Sequence, residues 1–363
     1  MQRNFSLDCF RALAIMLVFT AHSILAFGAP AILAPFQFGG TGVDLFFVLS
    51  GWLIGNQLLL EKKKFGDIDV PRFWIRRWMR TMPAYYAVLL VTILQLYLTK
   101  EDFSFPWPHL FFLQNYLGDL SVFYVSWSLS VEEQFYLFIA PLFVLTLALD
   151  KKYQVFVLLT LLVCPSIFRY LELYSSHTET HVRLDCCAMG VLLAYLKHYR
   201  QHVWGEAQKK INVFFIASIA AYAFFYIARY NREWEIGDPS SLGLAFMFGI
   251  WIVWGEQTNF NPTGIASRAV MHISTRSYAM YLLHVDALAV LNKLDLNNTA
   301  FSIYYVAALF ITLLLSECLY RFVELPFMKS RSKFSFSQSR AHNDRTQKLS
   351  LIHISEPTRP RSI

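Results

Sequence analysis

The sequence predicts an all-α, polytopic transmembrane helical bundle of about ten spans, with both termini in the cytoplasm. Hydrophobic residues make up 56% of the 363-residue chain and charged residues only 16%, against roughly 25% in soluble domains. The hydrophobic residues cluster in blocks of about 17 to 22, the length that crosses a hydrocarbon core of roughly 30 Å. Lys and Arg collect in alternate loops, as they do on the cytoplasmic side of membrane proteins.

The predicted spans follow one another through residues 1–330. They cover residues 11–30, 41–60, 82–98, 130–149, 153–171, 184–200, 211–230, 241–255, 276–292 and 300–320. The apolar residues 105–117 are predicted to form a re-entrant or interfacial segment. Residues 331–363 are polar and basic without a periodic apolar face, which predicts a disordered tail. Within it, residues 351–360 resemble a translated sequencing-adapter read-through and are expected not to be native.

The distribution of charge sets the predicted orientation. The loop between the second and third spans contains seven basic residues: Lys62, Lys63, Lys64, Arg72, Arg76, Arg77 and Arg80. This loop is therefore predicted to face the cytoplasm, with the N-terminus on the same side. Such loops account for the formal net charge of +7, so no nucleic-acid partner is expected. The five cysteines form no C-x-x-C pair, and neither a disulfide framework nor a metal site is predicted.

The first span carries two ionisable residues in an apolar run, Arg11 near its inner end and His22 about 16 Å further along the helix. Eleven residues complete almost whole helical turns, so both side chains lie on one face. Ionisable residues inside spans are costly and often functional. A neutral imidazole at His22 could accept a proton. The alternative is a histidine that only packs helices and bonds to a backbone carbonyl.

Asp44 opens the second span on the predicted outer side, after a glycine-rich stretch. A carboxylate at this position could orient the His22 imidazole and stabilise its protonated form. It could also serve as an N-cap, because a negative charge is favourable at the start of a helix.

Arg77 and Arg80 stand three residues apart and share one helix face at the predicted inner surface. Two guanidinium groups there could hold phosphate groups in a forked geometry. Simple anchoring at the cytoplasmic membrane surface is the alternative interpretation.

Several carboxylates and one histidine are further interior candidates. Glu132 and Glu133 enter the fourth span, and because adjacent helical positions point about 100° apart, at most one of them should face the bundle interior. His284 in the ninth span and Glu317 in the tenth are also interior candidates. Glu324 could be a site residue or the partner of Arg321 in a surface i, i+3 pair.

Taken in order, these motifs resemble the membrane acyltransferase-3 family of bacterial and related O-acyltransferases. The resemblance covers residues 5–330, and its first motif is R-x10-H at Arg11 and His22. The other matching segments are 42–51 (GVDLFFVLSG), 76–80 (RRWMR) with Pro83, 127–136 (WSLSVEEQFY), 281–284 (YLLH) and 321–326 (RFVELP).

The resemblance implies a fold and an activity. The protein would transfer an acyl group, usually acetyl, from cytoplasmic acyl-CoA to a carbohydrate or glycolipid hydroxyl at the outer face of the bacterial cytoplasmic membrane. His22 would be the catalytic base or acyl relay, and Asp44 would support it. Arg11, Arg77 and Arg80 would bind the acyl-CoA, which is a co-substrate, and no bound cofactor is implied. The chain resembles the members without a fused hydrolase-like domain.

A multi-span transporter of a glycolipid or a small organic anion is the alternative function. Buried His, Asp and Arg residues also form proton relays in transporters. Many transporters contain inverted repeats with paired broken helices, and no such internal symmetry is visible in this sequence.

Overall fold

The computed structural model describes residues 3–117, 120–231, 240–258 and 263–334, with only the backbone for 225–231, 240 and 332. Fourteen α-helices lie within these ranges, and no β-strand does. In chain order they are α1 (Phe5–Ala26), α2 (Gly42–Phe65), α3 (Val70–Thr99), α4 (Trp107–Leu110), α5 (Gln114–Leu117), α6 (Ser126–Leu147), α7 (Lys151–Tyr170), α8 (Asp185–Tyr199), α9 (Gln201–Lys209), α10 (Ile211–Asn231), α11 (Ser240–Gln257), α12 (Ile265–Lys293), α13 (Phe301–Leu319) and α14 (Leu325–Ser330).

Local side chains define several helix ends. The Asn4 side chain accepts a hydrogen bond from the Leu7 backbone N–H and so caps α1. The Asp69 carboxylate does the same for α3, accepting from the Arg72 backbone N–H at 3.1 Å. Helix α2 ends at Gly66, whose φ of 81° lies in the left-handed region that glycine tolerates best.

Helix α2 lies at the centre of the bundle, in contact with α1, α6, α8 and α11. Its closest approach is to α8, where Gly51 and Gly190 face each other. A β-carbon on Gly190 would lie 2.2 Å from the Val48 carbonyl oxygen, and one on Gly51 would lie 2.0 Å from the Cys187 carbonyl oxygen. Helix α1 packs against α12, which packs in turn against α13. These contacts bring α1, α2 and α12 around one interior region.

The helical bundle agrees with the predicted fold class. Each of the ten predicted spans overlaps one helix, although α3 and α12 begin about eleven residues before the predicted apolar blocks. Both extensions contain arginines, which an apolar block excludes. Among the described residues, six segments are long and apolar enough to cross a bilayer: Phe5–Ala26, Ala31–Phe65, Val70–Thr99, Ser126–Leu147, Lys151–Tyr170 and Phe301–Ser330. The count of ten spans and the cytoplasmic location of both termini stay predictions.

Two other predicted segments have simple structures. Residues 105–117 contain the short helices α4 and α5, neither of which could cross a bilayer. Helix α13 continues through a π-helical turn, Tyr320–Glu324, into α14. The first residues of the predicted tail, Arg331–Phe334, form a 3₁₀ turn that packs against α3, whereas residues 335–363 lie outside the described residues.

Candidate active site

The packing of α1 against α12 joins two of the predicted site residues. Nδ1 of His22 lies 2.7 Å from Nε2 of His284. The two imidazole rings are nearly parallel, with centroids 5.0 Å apart and an angle of 12° between the planes. Both histidines are candidates from the sequence alone, but their contact was not predicted.

The backbone around His284 determines where the protons lie in a neutral pair. Nδ1 of His284 is 2.8 Å from the Tyr281 carbonyl oxygen and 3.2 Å from that of Met280. Because a carbonyl oxygen can only accept, Nδ1 of His284 carries the proton and its Nε2 is left as an acceptor. His22 must then donate from Nδ1. The remaining nitrogen of His22, Nε2, keeps a free lone pair and is able to accept a proton.

The two histidines differ in their access to solvent. His284 is fully buried, whereas His22 is only partly buried. The ring of Tyr124, which is 54% exposed, meets the His22 ring edge-on at a centroid distance of 6.1 Å. The reactive nitrogen therefore belongs to the histidine that a molecule from outside the bundle can reach.

A cavity of about 100 Å³ lies among α1, α2, α3, α6 and α12. All three arginines that the sequence predicted to bind the donor, Arg11, Arg77 and Arg80, line it. Its other polar lining residues are Ser50, Thr81, Ser128, Glu132, Tyr136, Ser277, Tyr278 and Tyr281. Guanidinium groups gathered in one interior cavity are suited to binding an anion.

The three arginines have different partners. Arg11 donates to the Asp8 carboxylate at 2.9 Å and to the Ser274 hydroxyl at 3.3 Å. The Arg77 guanidinium lies 4.0 Å from the centre of the Tyr136 ring. Within the described part of the chain, Arg80 has no hydrogen bond or ion pair. Arg77 and Arg80 therefore keep more N–H donors for a ligand than Arg11 does.

Tyr281 separates this cavity from the histidine pair. Its hydroxyl contacts the Ser128 hydroxyl at 2.6 Å and donates to the Val125 carbonyl oxygen at 3.1 Å. The Tyr281 ring centroid is 5.7 Å from that of His284 and 6.4 Å from that of Phe46. Among the described residues, neither histidine lines the cavity. A donor held by the arginines would thus meet Tyr281 before it reached His22.

Asp44 has a different partner from the one the sequence suggested. Its Oδ1 accepts from Arg183 at 2.8 Å, and the Cys186 thiol lies 3.7 Å from the same oxygen. The structure brings His284, rather than Asp44, into contact with His22. Asp44 is also not an N-cap, because Thr41 precedes α2 and Asp44 lies in its first turn.

The remaining acidic candidates separate into two groups. Glu132 lines the cavity, and its Oε2 accepts from the Tyr136 hydroxyl at 3.0 Å. Glu133 is buried, although it does not line the cavity, so the prediction that at most one of the two faces the interior is wrong. Of the two interpretations of Glu324, the surface pair with Arg321 is wrong, because Glu324 is buried. Arg321 binds Glu317, which also binds Arg276.

Several residues of this region were missed in the sequence. The hydroxyls of Ser50 and Tyr136 bind each other, and Tyr281 contacts both the cavity and His284. Tyr281 stands one helical turn before His284, which is a signal that sequence reasoning could have used. Arg183 carries no comparable signal, because its link to Asp44 spans 139 residues of sequence.

Comparisons with known proteins agree with the family resemblance of the sequence. A family model described as "Acyltransferase domain" (acyltransferase 3) matches residues 4–321. A Staphylococcus aureus (strain COL) relative, named provisionally as an O-acetyltransferase, is 28% identical over 331 residues, which is 81% of this chain and 54% of the relative. The peptidoglycan O-acetyltransferase OatA of Listeria monocytogenes is 27% identical over 374 residues, covering 90% and 56% of the two chains.

The chain spans about half the length of the curated relatives it matches. No solved structure matches it. Because the family model covers most of the chain, from the residue before α1 to the π-helical turn, this multi-pass membrane protein belongs to the acyltransferase-3 family.

Proposed function

We propose that this protein is an O-acetyltransferase of the bacterial cytoplasmic membrane. It moves an acetyl group from acyl-CoA on the inner side to a carbohydrate or glycolipid hydroxyl on the outer side. The observation that carries this proposal is the hydrogen bond between His22 and His284, which leaves a basic nitrogen on a partly exposed histidine. The arginine-lined cavity on the same helix pair supplies a place for an anionic donor.

The proposed reaction uses His22 as a general base. Nε2 of His22 takes the proton of the acceptor hydroxyl, and the hydroxyl oxygen attacks the thioester carbonyl carbon. The new C–O bond forms while the C–S bond breaks. The sulfur leaves as a thiolate and receives the proton from His22, so that free CoA and the acetyl ester are the products. His284 keeps the His22 ring in the tautomer that this step requires.

The donor would extend from the arginines to the histidine pair. Arg11 and His22 stand eleven residues apart on α1, which is about 16 Å along the helix. An extended pantetheine arm has about this reach, so phosphates near Arg11, Arg77 and Arg80 would allow the thioester to approach His22. Tyr281 lies on this route, and its side chain would have to turn aside for the acetyl group to pass.

The acceptor is proposed from two observations. Relatives of this chain are named as O-acetyltransferases, and one of them as a peptidoglycan O-acetyltransferase. Beside His22, the exposed ring of Tyr124 offers an apolar face of the kind on which a sugar ring can stack.

The experiment compares surface carbohydrates of cells that produce the protein with those of cells that lack it. Base-labile ester signals in the NMR spectra of purified glycans are expected only in the producing cells. A His22→Ala variant present at equal abundance in the membrane is the control and should give the spectrum of the lacking cells. Identical spectra with and without the wild-type protein would contradict carbohydrate acetylation.

A further inference from the structure

The short turn after the last helices places an arginine against α3, beside the arginines that line the cavity. Residues Arg331–Phe334 fold back against α3, where Nη1 of Arg76 donates to the carbonyl oxygens of Arg331 at 3.3 Å and Phe334 at 3.2 Å. The family model ends at residue 321, so this turn lies beyond the matched region. Its position is fixed by Arg76, a neighbour of the cavity-lining Arg77.

Arg331 lies in strongly positive surroundings. Burial, followed by the charges of Arg80, Arg76 and Arg77, lowers the pKa of Arg331 to about 10. The guanidinium remains protonated at neutral pH, so Arg331 adds a positive charge to those of Arg76, Arg77 and Arg80. A polyanion that binds between these guanidinium groups is attracted by each of them.

The nearby carboxylates do not form ion pairs with Arg331 or Arg76. Asp8 binds Arg11, and Glu61 binds Arg72. Glu132, Glu133 and Glu324 act on Arg77 or Arg80 rather than on Arg331. In the part of the chain that the structure describes, no carboxylate lies within ion-pair distance of Arg331 or Arg76. Arg331 is thus a partly buried cation whose close neighbours are other cations.

The proposed function supplies an anion with phosphates in two places. A CoA ester has a pyrophosphate in its chain and a separate phosphate monoester on the 3′ carbon of its ribose. Resting on that function, we propose that Arg331 binds the ribose 3′-phosphate of the acyl-CoA donor, while Arg77 and Arg80 bind the pyrophosphate. Arg76 is a positioning residue that holds the Arg331–Phe334 turn in place.

This arrangement distinguishes a CoA ester from donors that lack the 3′-phosphate. An acyl group on 3′-dephospho-CoA would bind the inner arginines alone. A phosphate monoester held by a guanidinium makes charge-assisted hydrogen bonds, for which a factor of about ten in affinity is expected at a partly exposed site. The headgroup phosphate of an anionic lipid has similar chemistry and is the competing ligand.

The test measures binding of CoA and of 3′-dephospho-CoA to the full chain in phosphatidylcholine nanodiscs by titration calorimetry. The wild-type protein is expected to bind CoA about tenfold more tightly than 3′-dephospho-CoA. Arg331→Gln should lose this preference without weaker binding of 3′-dephospho-CoA, and Arg331→Lys should keep part of it. Lys333→Gln removes a charge from the same turn and is the matched control, which should keep the full preference.

The outcomes separate this subsite from the proposed function. Equal binding of both molecules by the wild-type protein, or an equal loss for both in Arg331→Gln, overturns the subsite and leaves the proposed function standing. Failure of the wild-type protein to bind either molecule contradicts the CoA donor itself. A preference that disappears in phosphatidylglycerol nanodiscs assigns Arg331 to a lipid phosphate and also overturns the subsite.

Discussion

His22 and His284 differ in what their remaining ring nitrogens can do. Nδ1 of His284 is committed to backbone carbonyl oxygens, whereas Nε2 of His22 has no committed partner among the described residues. In the neutral pair, the backbone therefore keeps the proton of His284 on its Nδ1, and the nitrogen that can accept a further proton is Nε2 of His22. A single histidine in a span could adopt either tautomer, whereas the contact with His284 selects one tautomer of His22.

Replacement of His284 should show whether it selects the tautomer of His22. In His284→Leu the Nδ1–H of His22 loses its acceptor, and we expect kcat for acetyl transfer to fall about 100-fold while KM for the donor stays unchanged. His284→Gln offers a carbonyl oxygen near the position of Nε2 and should recover most of the rate. Steady-state kinetics of both variants test this.

A purely structural role for His284 would give a different pattern. Both variants would then lose rate in proportion to lost folded protein, which size-exclusion chromatography of the detergent-solubilised protein measures. Equal rates in His284→Leu and His284→Gln at equal amounts of folded protein would contradict the orienting role.

Asp44 and Arg183 should act as one unit. Removing one partner of a buried pair leaves an uncompensated charge, so Asp44→Ala and Arg183→Ala should each lower the thermal midpoint, and the double variant should lose less than the sum of the two. A coupling free energy of about 1 kcal/mol or more is expected. Thermal unfolding of the four proteins in detergent measures it, and strict additivity would contradict the pairing.

Candidate site residues could be predicted from this sequence, but their contacts could not. Arg11 and His22 could be recognised because charged residues are rare in apolar spans, and Arg77 and Arg80 because their spacing places them on one helix face. The three arginines do meet in one cavity. Their partners could not be predicted, since His22 and His284 are 262 residues apart in sequence. Which charges approach each other depends on how the helices pack, and one sequence does not encode that as a local pattern.

Helices α2 and α8 make the tightest crossing described in the bundle. The facing glycines let the two backbones touch, as small residues commonly do between membrane helices. This crossing also fixes α2, which contributes Ser50 to the cavity and Asp44 to the Arg183 pair.

An added methyl group should disrupt this crossing. In Gly190→Ala the new β-carbon would collide with the Val48 carbonyl oxygen, which is backbone and cannot move aside. We expect a loss of about 1–3 kcal/mol in the free energy of unfolding. The matched control is Gly243→Ala in α11, where no atom lies within 4 Å of the added carbon.

Scanning fluorimetry of the purified proteins compares the two substitutions. The control should unfold at or above the wild-type midpoint, because alanine favours a helix more than glycine does. A midpoint for Gly190→Ala equal to that of Gly243→Ala would show that the crossing tolerates a side chain, contrary to this account.

The sequence predicted the positions of whole helices better than it predicted contacts between residues. Apolar blocks predicted a helix at all ten positions, because a chain in a bilayer must satisfy its backbone hydrogen bonds internally. The early starts of α3 and α12 were missed, since their first turns carry Arg72, Arg76, Arg268 and other polar residues. These turns are helical for reasons of capping and packing, which an apolar pattern does not register.

For the molecule as a whole, the proposed function requires one particular orientation of the helices in the membrane. The arginine-lined cavity must open inward to receive acyl-CoA, and His22 must lie toward the outer side. Fusions to a fluorescent protein after Ser330 should fluoresce, because that position is predicted to be cytoplasmic. Alkaline phosphatase fused after Lys100, in a predicted outer loop, should be active. The reverse pattern would contradict the orientation.

The same two helices, α1 and α12, hold both the arginine that is proposed to bind the donor and the histidine that is proposed to react with the acceptor. Helix α1 carries Arg11 and His22, and α12 carries their partners Ser274 and His284. Arginine and histidine are therefore held at a fixed spacing by two packed helices. Such spacing is needed if a donor bound at one end is to react at the other.

The central claim is that His22 is the base for acetyl transfer. The most direct test is the rate at which isotope-labelled acetyl groups pass from acetyl-CoA to the acceptor glycan, in membranes containing equal amounts of wild-type protein and of His22→Ala. We expect the rate to fall about 100-fold or more, with unchanged binding of CoA, because Ala offers no group that can take the hydroxyl proton. Transfer by His22→Ala at a rate close to that of the wild type would contradict it.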